Sequence, residues 1–261
     1  RALGRVGDSR AGAALVAMLP ETGGRLRAAV VAALGALRHE SALTELVVIA
    51  EDAEEIGTVR AHAVLAVGAC GNRDLPLRAL HDPEEAVRVR AAEALGDFPD
   101  DEVAAALSGT IGQDSRDVQR AAVEALGRHG ARAENTLFDV LGRATDDVRR
   151  HAARQLSRCA TTAGIPRLAA LAFDEDRAVG LAAGTTLASL DDPLVIDPLI
   201  AIVSRELPRP SWGRADPRHV IATKALARFD DERAVAAVAE KSLLVCGDEA
   251  REALTAIAQR R

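Results

Sequence analysis

A pattern of apolar positions recurs along the chain at a spacing of about 31 residues. Apolar side chains stand nine, five, four and one positions before a small final residue, as in Val87–Gly96 and Val118–Gly127. Offsets of four, five and eight residues fall on one face of an α-helix. We call this pattern the repeat motif and its last residue the anchor. The anchors are Gly4, Gly35, Gly68, Gly96, Gly127, Ser157, Ala188, Ala227 and Ala258.

A second apolar segment follows the anchor after a short polar turn, as in 41–51, 101–112 and 193–207. Helices this short are not stable alone in water, so each helix pair must bury its apolar face against the next pair. A fixed period of this size is typical of stacked-repeat proteins. The pattern therefore predicts an all-α fold, an α-solenoid of about eight stacked antiparallel helix pairs wound into a right-handed superhelix.

We predict a single repeat domain over 1–261, with an incomplete repeat at 1–7. The repeats are expected at about 8–35, 39–68, 72–96, 100–127, 132–157, 162–188, 192–227 and 231–261. The seventh interval is longer than the others, and its prolines and glycine predict a loop insertion at about 207–218. Because the chain opens inside a motif without Met, we expect it to be a segment of a larger protein with flanking domains.

The motif resembles the HEAT repeat. The Arg after the first Val and the ending Ala-Ala-x-Ala-Leu-Gly resemble the subtype named after phycobilisome lyases. The resemblance extends over essentially the whole chain. It implies a way of packing helices that scaffolds, adaptors and a few enzymes share, so it predicts the fold more sharply than the activity.

Composition narrows the classes of partner. The net charge is −6, which disfavours nucleic-acid binding, because phosphate recognition needs a clustered positive field. No apolar run approaches the roughly 20 residues that cross a bilayer, and the start does not resemble a signal peptide. Cys70 and Cys159 share an apolar column two positions after the anchor, and Cys246 falls in a turn. Unpaired cysteines fit a reducing compartment, so we expect a cytoplasmic protein.

Three enzymatic alternatives arise from the resemblance. HEAT-repeat hydroxylases bind iron through recurring His-Glu dipeptides, whereas this chain has one, His39-Glu40, in a turn. HEAT-like DNA glycosylases need aromatic residues and a basic cleft around an extruded nucleotide. A bilin lyase or isomerase subunit would act on a chromophore protein. No nucleophile triad or phosphate-binding glycine loop emerges, so we expect no catalysis, no metal site and no cofactor, with the glycosylase and the bilin lyase as alternatives.

The positions seven, six and three before the anchor point away from the apolar stripe. The resemblance implies that this layer lines the concave surface, where another protein or peptide segment would bind. The candidate partner-binding residues are His62, Arg90, Glu93, Arg120, Glu124, Arg150, His151 and Arg154. Mixed charges of this kind can hold a charged segment of a partner. The alternative is that Arg90, Glu93, Arg120 and Glu124 neutralise one another across adjacent repeats. The sequence thus favours a protein-interaction scaffold or adaptor.

A second arginine column lies eight positions before the anchor, at Arg27, Arg60, Arg88 and Arg149. Its regularity indicates a structural role. The resemblance implies a bridge to an acidic residue in a neighbouring turn, for which Asp8, Asp100 and related positions are candidates.

The loop insertion adds a separate candidate surface. It contains the only Trp of the chain, Trp212, flanked by Arg209 and Arg214. Trp and Arg are enriched at interaction hot spots, and insertions in repeats map to exposed loops. Trp212 could equally pack against its own helices. Gly180 and Gly184 in the preceding helix each cost about 1 kcal/mol relative to Ala, which suggests a soft joint between repeats five and seven.

Overall fold

The computed structural model describes residues 10–205, 216–242 and 247–259. Within those ranges the backbone forms sixteen α-helices and no strand. In chain order they are α1 (Arg10–Met18), α2 (Gly24–Ala36), α3 (Leu43–Glu51), α4 (Gly57–Ala69), α5 (Asp74–Ala79), α6 (Glu85–Leu95), α7 (Asp101–Gly109), α8 (Arg116–Arg128), α9 (Glu134–Leu141), α10 (Asp146–Cys159), α11 (Ile165–Leu171), α12 (Arg177–Ser189), α13 (Ile196–Ser204), α14 (Pro217–Leu226), α15 (Glu232–Ser242) and α16 (Gly247–Ala258).

The helices alternate between two kinds. Even-numbered helices carry the repeat motif and are called motif helices; odd-numbered helices are called companion helices. Each motif helix follows its companion along the chain, which confirms the predicted α-solenoid of helix pairs. Short 3₁₀ turns lead into several companion helices, for example Glu40–Ala42 before α3 and Thr162–Gly164 before α11.

The chain divides into two compact units. Among the described residues, unit 1 runs to Thr136 and includes Arg143–Val148, and unit 2 comprises Leu137–Gly142 and the residues from Arg149 onward. In unit 1 the motif helices α2, α4, α6 and α8 pack side by side in chain order. In unit 2 the same is true of α12, α14 and α16.

The apolar stripe of the motif forms the core, as predicted. In α6, Val87, Ala91, Ala92 and Leu95 are completely buried. The equivalent side chains of α8 are buried equally: Val118, Ala122, Val123 and Leu126. Small and branched side chains fill the interior here in place of aromatic rings, because the motif helices approach one another closely.

The close approach explains why the anchors at positions 35 and 68 are glycine. A Cβ added to Gly35 would lie 2.7 Å from the Ala66 Cβ, and one added to Gly68 would lie 2.7 Å from the Ala94 Cβ. Ala66 and Ala94 both stand two positions before the next anchor. The Ala and the Gly of the motif are therefore two sides of one contact between neighbouring motif helices.

Gly68→Ala is expected to lower the free energy of unfolding by about 1–3 kcal/mol. Alanine normally stabilises a helix relative to glycine, but the added methyl would overpack the contact with Ala94. Gly109→Ala at the end of α7 is the matched control, because its Cβ would meet no atom within 4 Å. Urea denaturation followed by circular dichroism measures both variants. Equal stability of the two variants would contradict the packing explanation.

Side chains at the helix starts fix where several elements begin. Asp100 accepts a hydrogen bond from the Val103 amide at the start of α7, and Ser115 accepts one from Val118 at the start of α8. In unit 2, Asp176 caps α12 and Asp216 caps α14. Such caps satisfy amides that have no partner within the helix.

Candidate functional site

The arginines eight positions before the anchor are largely or partly buried, and each is fixed by internal bonds. The guanidinium of each arginine donates a hydrogen bond to a backbone carbonyl at the C-terminal end of the preceding companion helix or in the turn that follows that helix. The same guanidinium forms an ion pair with an acidic residue of the next repeat. The pairs are Arg27–Glu55, Arg60–Asp82, Arg88–Asp114 and Arg149–Asp174. We call these residues the bridging arginines. Their structural role was anticipated, but their partners were not.

The Arg88 bridge shows the geometry of the column in detail. Arg88 Nε and Nη2 each donate to Asp114 at 2.9 Å, and Nη1 donates to the Asp82 carbonyl at 2.8 Å. Burial alone would raise the pKa of Asp114. The hydrogen bond from Arg88, the Ser115 amide and the charge of Arg88 together outweigh burial and lower that pKa.

The expectation that Asp100 bridges to this column was wrong. Asp100 pairs instead with Arg73, at 2.7 Å, on the opposite edge of the repeat. A bridging arginine lies in the first or second turn of its motif helix, whereas Asp100 follows the C-terminal end of α6. The acid within reach is therefore the one that precedes the next motif helix. Asp8, the other candidate, lies outside the described residues.

Unit 2 contains an exception in which a neighbouring residue supplies the bridge. The position eight before the anchor is Gly180, and the guanidinium of Arg218 fills the space beside it. Arg218 Nη1 donates to the Ala172 carbonyl at 2.9 Å, and its Nε and Nη2 donate to Asp216 at 3.0 and 3.1 Å. These are the same two kinds of bond that a bridging arginine makes. A Cβ on Gly180 would lie 2.8 Å from Arg218 Nη1, which gives this glycine a packing reason. The soft-joint hypothesis stays a prediction.

The candidate partner-binding residues of unit 1 form different contacts from the bridging arginines. Arg90 pairs with Glu93 of its own helix at 2.5 Å, with both side chains more than a third exposed. Arg120 and Glu124 are exposed on α8, and within the described part of the chain neither forms an ion pair. His62 is half-buried, and its Nδ1 lies 2.7 Å from the Thr58 carbonyl. The charges are thus neutralised along α6 and not across adjacent repeats.

In unit 2 the three candidates on α10 divide between two roles. Arg150 Nε lies 2.6 Å from Asp176, the residue that caps α12. Burial would raise the pKa of Asp176, but the hydrogen bond from Arg150, two backbone amides and the Arg150 charge lower it. Arg154 is exposed and lies 3.4 Å from the Nδ1 of half-buried His151. Arg150 therefore supports the fold, whereas Arg154 presents its charge at the surface.

The same positions of α12 and α14 carry residues that were not among the site predictions. They are Leu181, Ala182 and Thr185 on α12, and Val220, Ile221 and Lys224 on α14. Lys224 is exposed, and Leu181, Val220 and Ile221 are half-buried. The signal was present in the sequence, because these residues occupy the positions seven, six and three before Ala188 and Ala227.

Other candidate chemistry can be placed briefly. Arg209, Trp212 and Arg214 lie outside the described residues. Over the described ranges, no three His, Cys, Asp or Glu side chains come close enough to hold a metal ion. His39 Nε2 lies 2.9 Å from the Ser41 hydroxyl. Burial, together with the charge of Glu40, raises the pKa of the Cys70 thiol, which disfavours its nucleophilic thiolate.

Cys159 is buried within its apolar column, and His129 is buried with its Nε2 3.0 Å from the Leu95 carbonyl. Both residues therefore contribute to packing between repeats. Among the helices described, none is both long and apolar enough to cross a membrane.

Comparisons with known proteins agree with this architecture. The family described as HEAT repeats matches residues 57–127, 74–146 and 134–209. Among curated protein sequences, no match is found.

Solved structures with a similar fold share little sequence. YibA of Escherichia coli is 15% identical with a TM-score of 0.56, and the alignment covers 94% of this chain and 91% of that one. An archaeal HEAT-like repeat protein of Thermococcus onnurineus is 16% identical with a TM-score of 0.51, covering 83% of this chain and 97% of that one. The CpcE–CpcF complex of phycocyanin lyase from Nostoc is 19% identical with a TM-score of 0.45, covering 94% and 92%.

Proposed function

The chain belongs to the HEAT-repeat family, and we propose that it acts without catalysis, as a scaffold or adaptor that binds a segment of another protein on its motif helices. The contrast between the two sets of charged residues carries the proposal. The bridging arginines form internal hydrogen bonds and ion pairs, whereas Arg120, Glu124 and Arg154 are exposed and form no ion pair with a side chain of opposite charge among the described residues.

The exposed charges are suited to recognising a protein segment. A guanidinium can hold a carboxylate through two parallel hydrogen bonds, and Glu124, one turn from Arg120, can accept from a lysine or arginine of the partner. Exposed ion pairs contribute only about 0–1 kcal/mol to folding, so these side chains add little to stability. The electrostatic free energy of pairing these charges can therefore contribute to the binding of a partner. Complementary charge gives such binding specificity and speeds association.

The proposal is tested by placing a photo-crosslinking amino acid at two positions of unit 1. One is Glu124 on motif helix α8, and the other is exposed Ala105 on companion helix α7. In cells of the native host, adducts to another protein are expected from position 124 and not from position 105. Adducts only from 105, or from neither position, would oppose binding on the motif helices.

The proposal that the protein acts without catalysis is tested by an absorption spectrum and a metal analysis of the purified chain. We expect no visible absorption band and less than one metal ion per chain. A retained pigment would favour the bilin-lyase alternative, and a stoichiometric metal would favour a hydroxylase. Cys70 is free and partly buried, which supports a reducing location, and we propose the cytoplasm.

A further inference from the structure

The motif-helix surface of unit 2 differs in chemistry from that of unit 1. It consists of the positions seven, six and three before the anchor on three successive motif helices of unit 2. We call it the basic–apolar strip: Arg150, His151 and Arg154 on α10, Leu181, Ala182 and Thr185 on α12, and Val220, Ile221 and Lys224 on α14. No carboxylate occupies any of these nine positions, whereas unit 1 has Glu93 and Glu124 at equivalent ones.

Neighbouring helices hold the strip together. Arg150 of α10 binds Asp176, which caps the first turn of α12. The helix α12 in turn packs directly against α14, and Arg218 links the start of α14 to the end of α11. Three motif helices therefore present the strip from one bonded framework.

The middle of the strip is apolar. Leu181, Val220 and Ile221 remain partly exposed, whereas residues of the apolar stripe on α12, such as Val179 and Leu187, are completely buried. The Thr185 hydroxyl donates to the Leu181 carbonyl at 2.8 Å, so its donor is already satisfied within its own helix. Covering this surface with apolar side chains would remove it from water, at about 25 cal/mol for each Å² buried.

The two ends of the strip are cationic. Lys224 and Arg154 are exposed, and in the part of the chain that the structure describes neither pairs with a carboxylate. The nearest acid in the same register is Glu252 on the following motif helix, α16, where it stands next to Arg251. A partner that brings carboxylates to both ends would therefore meet complementary charge without displacing an existing ion pair.

The spacing of the cations defines the partner further. Adjacent packed helices lie roughly 8–10 Å apart, so Arg154 and Lys224, two helices apart, are separated by about 16–20 Å. An extended chain advances about 3.3 Å per residue, and alternate side chains point to the same side. Carboxylates at positions i and i+6 of an extended segment would span this distance. Side chains at i+2 and i+4 would then face the apolar middle.

We propose that the basic–apolar strip binds an extended segment of a partner protein, in which two acidic residues six positions apart flank two apolar residues. The inference rests on the proposed function and adds the chemistry of the bound segment. The acidic ends pair with Arg154 and Lys224, and the apolar side chains cover Leu181, Val220 and Ile221. The segment lies across α10, α12 and α14, perpendicular to the helices.

A fluorescent synthetic peptide tests the proposal. The probe has glutamates six positions apart, leucines at the second and fourth positions between them, and serines elsewhere. Fluorescence anisotropy with the full chain is expected to give saturable binding that Arg154→Glu or Lys224→Glu weakens by about tenfold or more. Replacing the leucines of the probe with serine is expected to weaken binding comparably. Replacing its glutamates with lysine should abolish it.

The matched control is Arg25→Glu on α2, which makes the same change of charge on an exposed motif-helix residue of unit 1, outside the positions seven, six and three before the anchor. It is expected to leave probe binding unchanged. Equal weakening by Arg25→Glu and Lys224→Glu would overturn the inference, as would a probe that does not bind. A single-stranded oligonucleotide that binds more tightly than the peptide would also overturn it. None of these results removes crosslinks at position 124, so the proposed function is tested separately.

Discussion

Arg218→Met is expected to lower the free energy of unfolding of unit 2 by about 3–5 kcal/mol, because it leaves a buried carboxylate without its main partner. The Asp216 side chain is 2% exposed and that of Arg218 is 6% exposed. The substitution would also remove the hydrogen bond to the Ala172 carbonyl. Arg177, at 3.5 Å from Asp216, is too distant to replace two hydrogen bonds.

A second substitution distinguishes the bridge from a general effect of losing a charge. Gly180→Arg places an arginine at the bridging position, where four other repeats carry Arg27, Arg60, Arg88 and Arg149. In the Arg218→Met background it is expected to recover more than 1 kcal/mol, whereas alone it would be destabilising because Arg218 already fills the space. Arg233→Met, which breaks two exposed ion pairs, is the control and should change stability little. Failure of Gly180→Arg to rescue would refute the equivalence.

The sequence was sufficient to predict the helices and the core. The offsets of Val87, Ala91 and Leu95 specify one helical face, and a chain with that pattern repeated has no other way to bury it than by stacking. The burial of these side chains depends only on this local pattern, so it could be predicted without coordinates.

The partners of the bridging arginines could not be predicted with the same security, because the sequence offers acids at both ends of every motif helix. Arg88 could have been assigned to Asp100 or to Asp114 from sequence spacing alone. A helix of eleven residues is about 16 Å long, so a side chain in its first turn cannot reach past its C-terminal end. This distance excludes Asp100 and leaves Asp114 as the partner of Arg88.

The roles of the exposed residues required the structure for a different reason. Arg150 and Arg154 are both surface arginines of one motif helix, and no local pattern separates them. Only the position of Asp176 on the next repeat shows that Arg150 is committed to a bridge. Arg218 is similar, since its function is explained by the absence of a side chain at Gly180, in another repeat. A motif that is aligned one repeat at a time does not show that a residue in one repeat compensates for a missing side chain in another.

Acidification is expected to destabilise the protein progressively below about pH 4. Burial would raise the pKa of Asp114, Asp176 and Asp216, but hydrogen bonds from arginines and backbone amides outweigh it and lower each pKa below that of an ordinary aspartate. The unfolded chain therefore binds protons more readily than the folded one. The stabilisation is present in full above the unfolded pKa and is lost as pH falls through the folded values.

The total loss of stability on acidification is the sum of the contributions of the three carboxylates. Each pKa unit contributes about 1.4 kcal/mol, and three carboxylates in separate repeats contribute independently. Urea denaturation at pH 7, 5, 4 and 3 should show nearly constant stability down to pH 5 and a steep decline below pH 4. Arg88→Met should be less stable at pH 7 and show a shallower decline, because Asp114 then loses the partner that lowers its pKa. A decline of undiminished slope in that variant would show that the bridges do not govern acid stability.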